Sequence, residues 1–210
     1  MISALDFAIL SFTSLFVIVD PIGLIPVFLA MTQKNTVPER IRMAQLASLI
    51  TFVILILSYF FGQRLLAAFR ITLPAFQIAG GIVLLLVALD MLQARRTAVK
   101  ETQEEKAEGV GKEDVAVTPM AIPMLAGPGA ITAVILLTNK AETFVHHMLL
   151  AGSIVLVSAL TLLILWTAAA RSKILSVIAL KIIGRLMGLI LAAIAVQFIL
   201  NGILAARLFS

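Results

Sequence analysis

An acidic residue, Asp20, lies inside a long apolar run near the start of the chain. It belongs to the cluster Val19-Asp20-Pro21-Ile22-Gly23-Leu24-Ile25-Pro26. A charged side chain at the centre of a membrane helix costs on the order of 2.5 to 3.5 kcal/mol, so some favourable interaction should offset that cost. Asp20 could hold an ammonium group or a coupling cation, carry a proton, or cap a half-helix that begins at Pro21.

A second cluster of proline and glycine, Leu125-Ala126-Gly127-Pro128-Gly129-Ala130, interrupts a later apolar run. Because proline lacks the amide hydrogen and glycine tolerates conformations closed to other residues, both clusters predict local unwinding of a helix. Unwound backbone in a membrane needs protein or a water-filled cavity around it, and it exposes amides that attract an anionic group. The alternative for each cluster is a simple proline kink. The substrate-site candidates here are Asp20, Pro21, Ile22, Gly23, Pro26, Ala126, Gly127, Pro128 and Gly129.

Four further polar side chains are candidates for the same site. Thr132 could offer its hydroxyl to a ligand or bond back to its own helix. Gln197 and Asn201, one helical turn apart, could line a pathway or bind a neighbouring helix. Asp90 could take part in ion or proton coupling, as Asp20 could, or serve only as a cap near the membrane interface.

These residues lie in a chain that is too apolar for a water-soluble fold. Of its 210 residues, 61% are hydrophobic and 13% are charged, against roughly 25% charged residues in soluble domains. The apolar runs can each cover a hydrocarbon core that needs about 20 residues, and lipid requires them to be helical. Six spans are therefore predicted, at 7–31, 45–62, 73–93, 118–138, 148–169 and 183–206.

Several kinds of chemistry are not indicated by the sequence. Cysteine is absent, and His146 and His147, which we expect in a loop, are the two histidines, so no metal site is predicted. Motifs of metalloproteases and serine hydrolases are missing as well, so we expect no enzyme activity and no cofactor. The net charge of +5 comes from short loops rather than from one basic face, which argues against nucleic acid as a partner.

The two halves of the chain align with each other when one is shifted by 107 residues. Because each half has three spans, the second half would cross the membrane in the opposite direction, as in transporters with inverted repeats. The predicted division is a first repeat at 1–93, a linker at 94–117 and an inverted second repeat at 118–210. The matches beyond aliphatic residues are Pro21 with Pro128, Arg64 with Arg171, Gly81 with Gly188, Tyr59 with Trp166 and Asp90 with Gln197.

Lysine and arginine predict the orientation in the membrane. Twelve of the 16 fall in the first, third and fifth loops and four on the opposite side, so those three loops should be cytoplasmic and both termini outside the cytoplasm. The linker at 94–117 carries five basic and six acidic residues and no apolar face, as is typical of a disordered cytoplasmic segment. We expect a multi-pass protein of a cytoplasmic (inner) membrane.

Three runs resemble motifs of the MarC family of bacterial and archaeal inner-membrane proteins, and the resemblance covers nearly the whole chain. They are DPIGLIPVF at 20–28, AIPMLAGPGAI at 121–131 and GRLMGLI at 184–190. The resemblance implies a six-helix protein of the broader superfamily of LysE-type amino acid exporters. Some members are described as transporters of small neutral amino acids such as glycine and alanine.

The expected function is secondary transport of a small neutral amino acid by alternating access, with the lipid bilayer as surroundings and sodium or a proton as coupling ion. The substrate carboxylate would meet the half-helix amides, and its ammonium group would meet Asp20 or unwound carbonyls. An exporter or channel for another small metabolite, or a structural membrane protein without transport activity, are the alternatives. The sequence is also compatible with an oligomer.

Overall fold

The computed structural model describes residues 2–93, 125–171 and 177–207, with residues 177–181 described by their backbone alone. These ranges contain seven α-helices and no strand, which confirms the all-α class. The predicted linker at 94–117 and the first part of the predicted span at 118–138 lie outside them. The helices are α1 (Ala4–Val19), α2 (Ile25–Met31), α3 (Val37–Ala68), α4 (Leu73–Leu92), α5 (Pro128–Lys140), α6 (Phe144–Ala170) and α7 (Val177–Arg207).

Four of these helices, α3, α4, α6 and α7, are long and apolar enough to cross a membrane. The shortest, α4, has 20 residues, and at 1.5 Å per residue it covers about 30 Å. The predicted span at 7–31 is divided between α1, with 16 residues, and α2, with 7. Four predicted spans therefore correspond to long helices, and the arrangement of six spans in two inverted repeats stays a prediction.

Helix α3 extends beyond its apolar run at both ends because local capping supports the extra turns. At its start, Thr36 and Glu39 form a capping box, in which each side chain accepts a hydrogen bond from the other residue's backbone amide. At its end, Arg70 takes a left-handed conformation with φ of 54°. The Ile71 amide then donates to the Leu66 carbonyl at 2.9 Å, as in a Schellman motif.

Helices α4 and α7 form the most extensive helix pair. A Cβ atom added to Gly81 would lie 2.8 Å from the Ala195 carbonyl oxygen, and one added to Gly188 would lie 3.1 Å from the Ala88 oxygen. The two helices are therefore antiparallel, with backbones in close contact at both points. Lipid supplies no hydrophobic force between helices, so small residues that allow such an approach are the usual basis of association in membranes.

Helices α1, α2 and α3 pack against α6, and α5 packs mainly against α1, α3 and α4. Large buried side chains such as Phe7, Leu55 and Ile154 form the core between them. Two buried threonine hydroxyls in this region bond back to their own helix: Thr51 donates to Ala47 and Thr161 donates to Val157, both at 2.8 Å. Such hydroxyls can be buried in a membrane protein without leaving a donor unpaired.

Candidate functional site

The first proline–glycine cluster breaks the helix, as the sequence predicts. Helix α1 ends at Val19, and Asp20 follows in a left-handed conformation with φ of 46° and ψ of 58°. Asparagine and aspartate tolerate this conformation better than other residues with side chains. The next residue, Pro21, has no amide hydrogen to continue the helix. The chain does not become helical again until Ile25, where α2 starts.

The two carboxylate oxygens of Asp20 have different surroundings. Oδ1 accepts a hydrogen bond from the Gly23 amide at 3.0 Å. Oδ2 is buried and has no hydrogen-bond partner in the part of the chain that the structure describes, while Asp20 as a whole is only 6% exposed. A buried carboxylate oxygen without a partner is unfavourable, so this atom is the clearest candidate in the break for contact with a ligand.

The cap that the sequence predicts for Asp20 differs in position from the one observed. The predicted half-helix begins at Pro21, whereas α2 begins at Ile25 and its N-cap residue, Leu24, makes no side-chain capping bond. Asp20 caps the intervening turn through Gly23 instead. Pro26 lies in the first turn of α2 and, like Ile22, is half-buried.

Met91 lies beside this break although nothing in the sequence singles it out. A Cβ atom added to Gly23 would overlap the Asp20 carboxylate, with its Cγ at 2.7 Å, and would lie 2.6 Å from Cε of Met91. The Met91 side chain is therefore next to the Asp20–Gly23 turn. One methionine in an apolar helix carries no pattern that points to a site, so only the packing shows it.

The second cluster forms the start of α5. Gly127 is the N-cap, with extended backbone, and no side chain caps this helix end. Its carbonyl accepts hydrogen bonds from the amides of Ala130 at 2.9 Å and Ile131 at 3.1 Å. Gly127, Gly129 and the preceding Ala126 are buried, and Pro128 is exposed. The chain before residue 125 lies outside the described residues, so only the downstream half of this predicted break is seen.

The Thr132 hydroxyl bonds back to its own helix, which is one of the two roles that the sequence allows for it. Its hydroxyl donates to the Pro128 carbonyl at 2.7 Å, one turn back along α5. The residue is almost completely buried, and its side chain lies where a Cβ atom on Gly80 would be. In this conformation the hydroxyl satisfies its own helix rather than a ligand.

One face of α4 contacts both clusters. Positions 80, 84, 87 and 91 share this face because they follow the spacing of a helix with 3.6 residues per turn. Gly80 lies against Thr132, Leu84 against Gly129 and Met91 against Gly23. Val87 lines a small cavity. Helix α4 therefore links the α1–α2 break to the N-terminus of α5.

The small cavity lies at the N-terminus of α5. Its volume is about 20 Å³, which is room for about one water molecule. The side chains around it are apolar, so the backbone at the start of α5 supplies the polar groups. Its walls are Ile18 at the end of α1, Val83, Leu84 and Val87 of α4, Leu191 of α7, and residues 127–130.

The other predicted site residues lie elsewhere. Gln197 and Asn201 are exposed on α7 and bond to each other, the Gln197 Nε2 donating to the Asn201 Oδ1 at 2.8 Å. Asp90 is exposed near the end of α4. The structure thus places both break clusters on one face of α4, where their contacts at Met91 and Leu84 are about 10 Å apart along the helix. It places Gln197, Asn201 and Asp90 on outer surfaces of the described helices.

The prediction that both histidines lie in a loop is wrong. Thr143 caps α6 by accepting the His146 amide at 3.2 Å, so the helix begins at Phe144 and includes both residues. His146 is buried and stacks on Phe7 of α1 with ring centroids 4.5 Å apart. The neighbouring His147 pairs its Nδ1 with the Tyr59 hydroxyl at 3.2 Å. The His146 ring therefore connects α6 to α1, and the His147 ring connects α6 to α3.

Comparison with known proteins gives a consistent result over nearly the full length. Residues 5–206 match the profile of the MarC family integral membrane proteins. The chain is 38% identical to a UPF0056 membrane protein of Methanocaldococcus jannaschii, over 97% of this chain and 99% of that protein. It is 35% identical to the UPF0056 membrane protein YhcE of Escherichia coli, over 91% and 89% of the two chains. It is also 36% identical to YvbG of Bacillus subtilis, over 94% of each.

No solved structure matches the chain. The family assignment therefore rests on sequence, through the profile match and through relatives in both bacteria and archaea. The profile match and the relatives, which are all described as membrane proteins, agree with the long apolar helices of the structure. The chain belongs to the MarC family of integral membrane proteins.

Proposed function

We propose that this protein is a secondary transporter that moves small neutral amino acids, of the size of glycine and alanine, across the cytoplasmic membrane by alternating access. The observation that carries the proposal is the buried Oδ2 of Asp20, which has no partner in the described residues and lies in a helix break. Buried ionisable groups inside a membrane protein are costly and mark substrate or ion pathways.

The two clusters suit the two charged ends of an amino acid. The Asp20 carboxylate would attract the ammonium group, and the amides at the uncapped start of α5 would attract the carboxylate. The cavity beside α5 is lined by apolar side chains and is barely larger than a water molecule. Such surroundings favour a small substrate with an uncharged side chain, which would enter when the helices move apart.

Contacts between α4 and α7 support an inverted repeat. A shift of 107 positions carries Gly81 onto Gly188 and Ala88 onto Ala195. The contact of Gly81 with Ala195 therefore becomes the contact of Gly188 with Ala88, and both are observed. Such an exchange is the property of a twofold axis, at which two equivalent surfaces meet each other. In transporters built this way, the substrate site lies near the axis.

The cavity fits the same arrangement. Leu84 and Leu191, which the shift of 107 positions also relates, both line it. Rocking of one half against the other about this point would open the site to one side of the membrane and then to the other. The proposed halves are residues 1–93 and 118–210, joined by a cytoplasmic linker, with both termini outside the cytoplasm. The proposed coupling ion, sodium or a proton, would act at Asp20.

The test is uptake of radiolabelled glycine and alanine into proteoliposomes of the purified protein, with and without sodium and pH gradients. We expect saturable uptake that Asp20→Asn abolishes. Glu142→Gln is the matched control, because it removes an exposed acid between α5 and α6 and should leave uptake within about twofold of the wild type. Absence of uptake under every gradient, from folded protein, would refute the amino acid assignment.

A further inference from the structure

Gln197 and Asn201 form an amide pair on the outer side of α7. Both are exposed, and they lie one helical turn apart within the apolar segment Ile182–Arg207. Gln197 comes two residues after the buried Ala195, so its side chain is rotated by about 200° around the helix axis relative to that of Ala195. The pair therefore points away from α4, which packs against the Ala195 side of α7.

Hydrogen bonding within the pair leaves both donors and acceptors unused. The Gln197 Nε2 donates one hydrogen to the Asn201 Oδ1. Each side-chain amide has two N–H donors and one oxygen acceptor. The Gln197 oxygen and the Asn201 Nδ2 group therefore have no protein partner in the described part of the chain. Lipid tails offer neither donors nor acceptors, so these groups are unfavourable where they meet hydrocarbon.

We propose that this surface of α7 binds a second copy of the same chain, with Gln197 and Asn201 at the centre of a symmetric dimer interface. The bias of 12 to 4 in lysine and arginine between the two sides predicts a single orientation for all copies, so two copies can meet about an axis along the membrane normal. Each residue near that axis then faces its own equivalent. The free oxygen of one Gln197 would accept a hydrogen bond from an amide group of the other copy, and the reverse bond would form by symmetry.

Neighbouring residues permit this approach. Ala193 is exposed one turn before Gln197, and its small side chain lets the two α7 backbones come close. Leu186, Leu200 and Leu204 are exposed on the same side and would pack around the amides. Apolar residues around a polar centre exclude water, so the hydrogen bonds form in a low dielectric and are stronger.

Single-cysteine cross-linking tests the interface, because the chain has no cysteine of its own. We expect Ala193→Cys in native membranes to form a covalent dimer when a disulfide catalyst is added. Leu57→Cys is the matched control: Leu57 is exposed on α3, outside the proposed interface, and its cysteine should remain monomeric. Equal reaction of both cysteines with a maleimide after unfolding would show that both are present as thiols.

The second measurement removes the amides. Single-molecule photobleaching in liposomes measures the dissociation constant of the dimer. We expect the double change Gln197→Leu and Asn201→Leu to raise this constant by about tenfold or more. Thr167→Leu, which replaces an exposed hydroxyl on α6 already bonded to Ile164, should leave it unchanged. A monomer at all protein densities, or a dimer that neither measurement locates at α7, would overturn the proposal. Neither result depends on transport.

Discussion

Replacement of Gly23 by alanine should disturb the Asp20 carboxylate specifically. The φ angle of Gly23 lies outside the positive region, so alanine can adopt the backbone conformation. The added methyl group, however, would overlap the Asp20 carboxylate and lie 2.6 Å from Cε of Met91. Met91 can move at little cost because its side chain is flexible. The carboxylate cannot move without loss of its 3.0 Å hydrogen bond to the Gly23 amide.

The magnitude follows from that bond. A hydrogen bond to a charged group contributes about 1.5 to 3 kcal/mol, so displacement of the carboxylate should weaken binding at Asp20 by about 2 kcal/mol, which is roughly thirtyfold. Alanine also reduces the conformational entropy of the unfolded chain, which stabilises the folded state by about 0.4 to 1 kcal/mol. The net loss in folding free energy should therefore be smaller, about 1 kcal/mol. The loss of binding free energy should therefore exceed the loss of folding free energy.

The assay compares Gly23→Ala with Gly152→Ala. A methyl group on Gly152, in the interior of α6, would meet nothing within 4 Å. This control should keep wild-type uptake and be stabilised by about 0.5 to 1 kcal/mol, as expected for alanine in place of glycine in a helix. Uptake of labelled glycine gives the apparent affinity, and thermal unfolding in detergent gives the stability. Wild-type affinity in Gly23→Ala would refute the assigned role of the turn.

Three other changes have expected outcomes. Gly81→Val places a side chain against the backbone of α7, so the free energy of unfolding should fall by about 1 to 3 kcal/mol, whereas Gly184→Ala, with open space around it, should not lower it. Tyr59→Phe removes the hydroxyl paired with His147, and a double-mutant cycle for the two should give a coupling of about 1 kcal/mol, or none if the contact is absent. Thr132→Val removes a hydroxyl bonded to its own helix, so KM should change less than about threefold; a larger rise would show that the hydroxyl contacts substrate.

The sequence predicts those features of the fold that depend on one helix at a time. Proline and glycine next to Asp20 predict the break after Val19, and the apolar runs predict α3, α4, α6 and the apolar part of α7. Hydropathy alone places the start of α3 too late, because its first turns contain charged residues and are held by the capping box at Thr36. The same kind of signal, Thr143 before His146, could have placed the histidines in α6.

Features that depend on contacts between helices could not be obtained from the sequence. The position of Met91 beside Gly23 requires the packing of α4 against the break. The sequence allows Gln197 to face a pathway or a neighbouring helix, and only the rotation of α7, fixed by Ala195 against α4, places it outside. A polar residue in an apolar helix shows that a partner is needed but not on which side the partner lies.

The most direct test of alternating access at the proposed site is the accessibility of one cysteine at Ala130. This residue is buried at the start of α5, and the chain has no other cysteine to react. If the halves rock about this site, Ala130→Cys should react with a membrane-impermeant thiol reagent added from either side of the membrane, and alanine should slow both reactions. Reaction from one side alone, or no protection by any neutral amino acid in a variant that remains folded, would contradict the proposed mechanism.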